Sequence, residues 1–320
     1  MKKFAKVLAV VMAAALVLSM AACNNKPEEK TYNVGILQLV QHEALDAATK
    51  GFRDALTQKL GDKVKFDEQN AQGDANTCTT IANGFVSSKV DLIMANATPA
   101  LVACATATAD IPVLGTSITE YGAALNLENF DGTVGTNVSG TSDLAPLDKQ
   151  AEMIKEFFPE AKKVGLIYCT AEANSIYQVN TIKTHLEELG YEAKLYPFSD
   201  SNDLAAVTTN ATKEVDVIYV PTDNTVASNA GIVDNICAPA KIPVFAGEEG
   251  ACKGCGLATL SIDYYDLGYA TGIMAYKVLT GESKISEMPI EYAPDFTNKY
   301  VPERFKAFNL EAPEGYVAIS

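Results

Sequence analysis

The stretch VDLIMANATPALVA at residues 90–103 returns as VDVIYVPTDNTVAS at residues 215–228. Each copy begins Val-Asp and continues as a short apolar run that stops at polar residues. That is the pattern of a strand buried on both faces that gives way to a helix. Two flanking blocks recur in the same order: VGIL from Val34 with VGLI from Val164, and IPVLG from Ile111 with IPVFAG from Ile242. Colinear recurrence of three blocks implies two lobes of one design, and 320 residues are enough for each lobe to bury its own core. Two lobes in one chain leave a cleft between them, and clefts are where small molecules bind.

Working outward, each half reads strand, helix, strand, helix, strand. VGILQLV from Val34 is an apolar strand, and residues 44–60 carry Leu45, Ala48, Phe52, Leu56 and Leu60 at helical spacing before Gly61 ends the helix. A second strand is predicted over 64–68 and a helix over 77–88, and Thr98-Pro99 opens the next helix with Pro in its first turn. The second half repeats this with VGLIYC, a helix over 174–190, the strand EAKLYPF, a helix after Asn202, VDVIYV, a helix near Thr225 and IPVFAG. Strands alternating with such helices pair in parallel. The fold class is therefore α/β, with two similar doubly wound parallel-sheet lobes, a hinge and an interlobe cleft. From Tyr264 the chain leaves the repeat with a helix over 266–279, the strand MPIEYAP and a polar tail. A chain that revisits the first lobe and returns crosses three times, near Asn137, Asp263 and Pro294. That gives a first lobe of 32–140 plus 264–293 and a second of 141–263 plus 294–320.

The N-terminus reads as a processing segment. Lys2, Lys3 and Lys6 precede an apolar run from Val7 to Met20, then Ala21, Ala22 and Cys23. The run is shorter than the roughly 20 residues a membrane-spanning helix needs. Small residues ahead of a Cys resemble the bacterial lipoprotein box, in which Cys23 becomes the lipid-modified N-terminus, although Met20 stands where that box usually has Leu. The alternative is an ordinary cleaved signal. With the box, residues 1–23 are the signal, 24–31 a polar tether, and the protein is extracytoplasmic and held to the bacterial cell membrane by lipid.

A net charge of −15 without basic runs argues against nucleic acid, whose binding depends on neutralising phosphates. Beyond Cys23, six cysteines remain: Cys78, Cys104, Cys169, Cys237, Cys252 and Cys255. A chain of this size folds without disulfide staples, so Cys252-Lys-Gly-Cys255 reads as a local disulfide or free thiols ahead of a metal or redox site. His42 and His185 are the two histidines, and no nucleophile elbow, phosphate-binding loop, zinc-helix motif or dinucleotide fingerprint occurs. The expectation is a protein that is not an enzyme and carries no cofactor or metal, with an enzyme using the interlobe cleft as the rival reading.

Ligands of open parallel sheets bind beyond the carboxyl ends of the strands. In the first lobe those ends carry Gln38 and His42, Asn96 and Thr98, then Thr116, Ser117 and Thr119. In the second they carry Thr170, Glu172, Asn174 and Ser175, then Thr222, Asp223 and Asn224, then Glu248. The first set is neutral and lies near helix N-termini, where free N–H groups favour a carboxylate, with Thr98 and Ser117 as the anion contacts. The second set is acidic, and Asp223 suits an ammonium group. A zwitterion satisfies both, although each of these residues also suits a plain helix cap. His42 reads as cleft wall, Tyr264 and Tyr265 as packing.

The blocks GILQLVQHEALDAATKGF, NAQGD, VDLIMANATPA, SDLAPLDKQ, EANS, YVPTDNTVAS and ATLSIDYYDLG follow one another along the chain. Together they resemble the ABC transporter substrate-binding lipoproteins of the tryptophan-binding type, over nearly all of residues 32–309. The resemblance implies a type I periplasmic-binding fold and delivery of a captured solute to a membrane permease with its ATPase, by a protein that works as a monomer. It implies an aromatic, tryptophan-like amino acid as ligand, with another amino acid, a nucleoside or a sugar as the alternative. It also implies a ligand set of Gln38, Thr98, Ser117, Thr119, Asn174, Ser175, Asp223, Asn224 and Asp263, to which Asn137 at the hinge is added, and Asp223 would hold the ammonium. Two departures stand out: Thr119 is followed by Glu120-Tyr121 where the family tends to have Asp-Pro, and Cys169 stands where Asn is common.

Overall fold

A computed structural model describes residues 30–319. Cys23, the lipid-box residue, lies outside the described residues, as do the signal and most of the tether. The first lobe runs β1 (Tyr32–Gln38), α1 (Glu43–Leu60), β2 (Val64–Asn70), α2 (Ala75–Ser88), β3 (Leu92–Asn96), α3 (Thr98–Ala107), β4 (Val113–Ile118), α4 (Tyr121–Leu125) and β5 (Val138–Ser142). The second runs α5 (Leu147–Phe157), β6 (Lys163–Cys169), α6 (Ala173–Glu188), β7 (Glu192–Phe198), α7 (Ser201–Ala211), β8 (Val217–Val220), α8 (Asn224–Ser228), α9 (Ala230–Ala240), β9 (Val244–Ala246), α10 (Glu249–Cys255) and β10 (Ala258–Ser261). The chain then returns to the first lobe with α11 (Tyr264–Thr280) and β11 (Glu291–Tyr292), and ends in the second with β12 (Thr297–Tyr300), α12 (Pro302–Ala307) and β13 (Val317–Ala318).

The sheet orders are β11-β5-β4-β3-β1-β2 and β13-β12-β10-β9-β8-β6-β7. Pairing is parallel except between β10 and β12. The C-terminal segment is therefore not a polar tail but an antiparallel extension of the second sheet. The repeated segments are the central strands β3 and β8, buried along their whole length. The Asp that opens each copy does the same thing in both lobes. Asp91 Oδ2 accepts from Asn33 N at 2.8 Å, and Asp216 Oδ2 accepts from Lys162 N and Lys163 N at 2.8 and 2.9 Å. Each carboxylate thus ties the start of its strand to the neighbouring strand β1 or β6, which fixes register.

Apolar layers cover both faces of both sheets. In the first lobe, Val34, Ile36, Leu92 and Leu114 face one side and Leu37, Ile93 and Val113 the other. In the second, Leu166, Val217 and Tyr219 oppose Ile167, Ile218 and Val220. Helix α11 belongs to the first lobe because it packs on α1 at backbone distance. A Cβ on Gly268 would lie 1.9 Å from the Ala48 carbonyl oxygen, and one on Gly51 would lie 2.0 Å from that of Tyr265.

The first crossing between lobes follows β5, through residues 143–146, rather than lying near Asn137. Asn137 sits at the amino end of β5, where its side chain donates to Thr108 O and Ile111 O at 3.0 and 2.8 Å. The six described cysteines are buried and free, and Cys255 Sγ donates to Ala251 O within α10. Burial pushes the thiols of Cys78 and Cys169 up to about 11 and those of Cys104 and Cys237 to about 12, so they are inert packing groups.

Candidate ligand-binding cleft

The carboxyl ends of the two sheets face each other across a closed cleft. At its centre is a cavity of ≈ 10 Å³ lined by His42, Leu45, Ser117, Thr119, Asp143, Asn174, Thr222, Asn224 and Tyr264. The rim widens into cavities of ≈ 560 and ≈ 490 Å³, each lined by both lobes. Side-chain contacts join the lobes here: His42 Nε2 lies 3.1 Å from Asn224 Oδ1, Gln178 Nε2 donates to Thr119 Oγ1 at 3.3 Å, and at the edge Lys253 Nζ lies 3.6 Å from Glu43 Oε1. Contacts of this kind come apart without disturbing either core.

Local backbone geometry brings the first lobe's polar groups here. Ladder register between β4 and β5 shifts between Gly115 and Ile118, and within that irregularity Ser117 adopts φ 56. The wedge is Tyr121, fully buried, with its hydroxyl 3.1 Å from the carbonyls of both Gly115 and Thr141. At the end of β3, Ala97 has φ 87. Non-glycine residues in this region are strained by about 1–3 kcal/mol each, and such strain concentrates at binding sites. The Glu120-Tyr121 departure thus has a structural role, since Glu120 also caps α4 by accepting from Gly122 N and Ala123 N.

Among the described residues, five of the eight buried side-chain atoms without a hydrogen-bond partner lie around this cleft, namely His42 Nδ1, Thr98 Oγ1, Ser117 Oγ, Asp143 Oδ1 and Asn174 Oδ1, and the other three are on Asn96, Thr208 and Thr259. Leaving such atoms unpaired costs on the order of 1–3 kcal/mol each, and a ligand that pairs them recovers it. Hydroxyls of Thr98 and Ser117 can donate to a carboxylate. Asp143 Oδ1 and Asn174 Oδ1 can accept from an ammonium.

The acids differ sharply. Glu172 accepts from Asn224 N and Nδ2 and from Thr225 N and Oγ1, at 2.6–3.0 Å. Asp223 accepts from Cys169 N at 2.7 Å and from Val226 N at 2.9 Å, and burial together with the Glu172 carboxylate beside it raises its pKa. Glu248 accepts from Gly250 N and Ala251 N. Asp143 is 4 % exposed and accepts from Tyr264 OH at 3.0 Å on Oδ2, leaving Oδ1 free. Burial pushes its carboxyl up to about 6, opposed by the hydrogen bond from Tyr264 and by the neighbouring Thr119 hydroxyl.

Of the residues singled out from sequence, Ser117, Thr119, Asn174 and Asn224 line the cavity, and Thr98 lies at the rim. Ser175 is fully buried beside Asp223. Asp223 itself does not line the cavity, because both its oxygens are engaged in capping α8 and holding Cys169 N. Gln38 is turned aside, donating to Val40 O and Asp46 Oδ1 and accepting from Thr49 Oγ1. Asp263 is exposed and caps α11 through Asp266 N, and Asn137 is at the far end of its strand. Asp143 escapes the sequence reading, although it stands in the SDLAPLDKQ block directly after β5 at a crossing between lobes. Tyr264 both packs and donates to Asp143, whereas Tyr265 faces away and bonds Asp54 Oδ2.

The family model for ABC transporter substrate binding proteins matches residues 33–310. A tyrosine-binding protein of Clostridioides difficile is 40% identical over 309 residues, spanning 91% of this chain and 88% of its own. Among solved structures, an ABC domain from Streptococcus pneumonia in complex with L-Trp is 34% identical and superposes with a TM-score of 0.84 over 89% of this chain and all (100%) of its own. The ligand-free, open structure of a substrate-binding protein with adhesive properties from Clostridium difficile is 40% identical, yet superposes with a TM-score of 0.69, over 91% and 99%. A leucine-binding protein of Thermotoga maritima, 16% identical with a TM-score of 0.60 over 80% of this chain and 86% of its own, shares the two-lobed fold. Superposition and identity thus rank the L-Trp complex and the open structure in opposite orders, as two lobes closed on each other would. With the fold, the cleft and the match over residues 33–310 in agreement, this chain belongs to the family of ABC transporter substrate-binding proteins.

Proposed function

We propose that the chain captures an aromatic amino acid between its lobes and hands it, in the closed form, to the permease and ATPase of an ABC importer. The observation that carries this reading is the set of unpaired atoms around the cavity, with hydroxyl donors at Thr98 and Ser117 and a free carboxylate oxygen at Asp143. Donors for a carboxylate and an acceptor for an ammonium match the two ends of an amino acid. The aromatic side chain is supported by the relatives, one named for tyrosine and one solved with L-Trp.

In this reading the ammonium sits on Asp143, with Asn174 beside it, and Asp223 holds the second lobe's strand ends in place. Lobe boundaries after residues 142, 263 and 293 let the two sheets part around the three crossings and close again on the ligand. The protein acts as a monomer outside the cytoplasm and is tethered by lipid at Cys23. The lipid-box pattern supports this anchor, and among the described residues no helix is long and apolar enough to cross a membrane.

The test uses the absence of Trp from the sequence. Excitation of the purified protein at a wavelength selective for indole gives almost no emission until tryptophan is added, and bound tryptophan then emits at a shifted wavelength. A thermal-shift series with tyrosine, tryptophan, phenylalanine, leucine and a nucleoside ranks the ligands, since 100 times the dissociation constant stabilises by about 2.7 kcal/mol. Stabilisation by the nucleoside alone, or by none of the five, would defeat the reading.

A further inference from the structure

We propose that His42 reads a polar hydrogen at the tip of the ligand's side chain and so selects tyrosine or tryptophan over phenylalanine. This rests on the aromatic amino-acid reading and assigns its specificity.

The orientation of the His42 ring follows from a chain of hydrogen bonds. Glu172 Oε2 accepts from Asn224 Nδ2 at 2.6 Å, and since a carboxylate only accepts, this fixes the amide group of Asn224 the right way round. Asn224 Oδ1 is then the atom 3.1 Å from His42 Nε2, and an amide oxygen only accepts, so Nε2 must carry the proton. In the neutral ring the other nitrogen, Nδ1, is left as a lone-pair acceptor. That nitrogen is buried with no partner, on a residue that lines the central cavity.

Position matches this role. Asp143 follows β5 and His42 follows β1, and in the sheet order β5-β4-β3-β1 those strands are three spacings apart, about 14 Å. Both residues line the central cavity, so an amino acid lying along the strand ends would have its ammonium at Asp143 and its side-chain tip at His42. Leu45, in the first turn of α1, supplies apolar wall in the same cavity. A phenol O–H or an indole N–H pairs with Nδ1. Phenylalanine offers nothing there and leaves the buried acceptor unsatisfied, which is the condition under which a polar site discriminates strongly.

Calorimetric titration of tyrosine, tryptophan and phenylalanine into the wild-type chain and into His42→Leu tests the assignment. Wild type should bind tyrosine and tryptophan at least about tenfold more tightly than phenylalanine, and His42→Leu should bring all three within about threefold, with phenylalanine affinity retained. A variant that keeps the wild-type ratio, or a wild type that binds all three alike, overturns the His42 assignment alone. A wild type that binds none of them overturns the functional reading with it. Should His42→Leu fail to fold, histidine-labelled wild type decides, because His42 and His185 are the only imidazoles in the chain. The Nδ1 resonance of His42 should shift on adding tyrosine and stay in place with phenylalanine. Equal shifts with both, or none with either, count against the proposal.

Discussion

At the end of β3 the chain turns through Ala97 into Thr98, whose hydroxyl has no partner. At the equivalent end of β8 it turns through Thr222 into Asp223, whose two oxygens are both taken by backbone N–H groups. The same design of strand and helix therefore serves binding in one lobe and self-support in the other. An acid at a strand end tells little about ligands until its own backbone donors are counted, because a buried carboxylate takes whatever N–H groups a helix start offers. Glu172 and Glu248 follow Asp223 in this, while Asp143, at the crossing between the lobes, keeps an oxygen free.

The contrast between the two lobes is greatest at Asp223. Asp223→Ala strips the acceptor from Cys169 N and Val226 N, and two orphaned donors should cost about 2–4 kcal/mol of stability, read from denaturant unfolding. Ligand affinity of the folded variant should stay within about tenfold of wild type, since the lost groups support the site rather than touch the ligand. A variant with unchanged stability and no binding would reverse the roles given to the two lobes.

A smaller effect sharpens the role of Asp143. Its carboxyl is held at about 6, above the ordinary 3.8, by burial. Between those two values the folded chain holds a proton that the unfolded chain has released. Ligand-free stability from this group is therefore greatest at low pH and falls as pH rises through that window. An ammonium requires the ionised form, so amino-acid affinity should run the other way, weakening by up to about tenfold per unit as pH drops below 6. Affinity measured at several pH values checks this, and a flat profile from neutral pH down to about one unit below that value would remove Asp143 from the ligand.

Much of the architecture was legible in the sequence because the recurrent blocks are the strands themselves: β1 with β6, β3 with β8, β4 with β9. Full burial on both faces leaves such strands little freedom of composition. The return through α11 was legible as a helix outside the repeat, whereas β12, half-buried between β10 and the edge strand β13, was hidden in a polar segment because a half-buried strand needs few apolar residues. At the cleft, Ser117, Thr119, Asn174 and Asn224 followed from the rule about strand ends. Asp143 did not, since its burial depends on Tyr264, 121 residues further along. Gln38, Asp263 and Asn137 stand near strand or helix ends but spend their side chains on local hydrogen bonds. No pattern of residue types reveals how those bonds are shared out.

The most direct test of the account is a calorimetric titration of tyrosine and tryptophan into Asp143→Asn beside wild type at neutral pH. Asn keeps the shape and the bond to Tyr264 but removes the charge, and loss of a buried partner to an ammonium should weaken binding by at least about a hundredfold. Unchanged affinity in Asp143→Asn, with binding lost in Asp223→Asn instead, would contradict it.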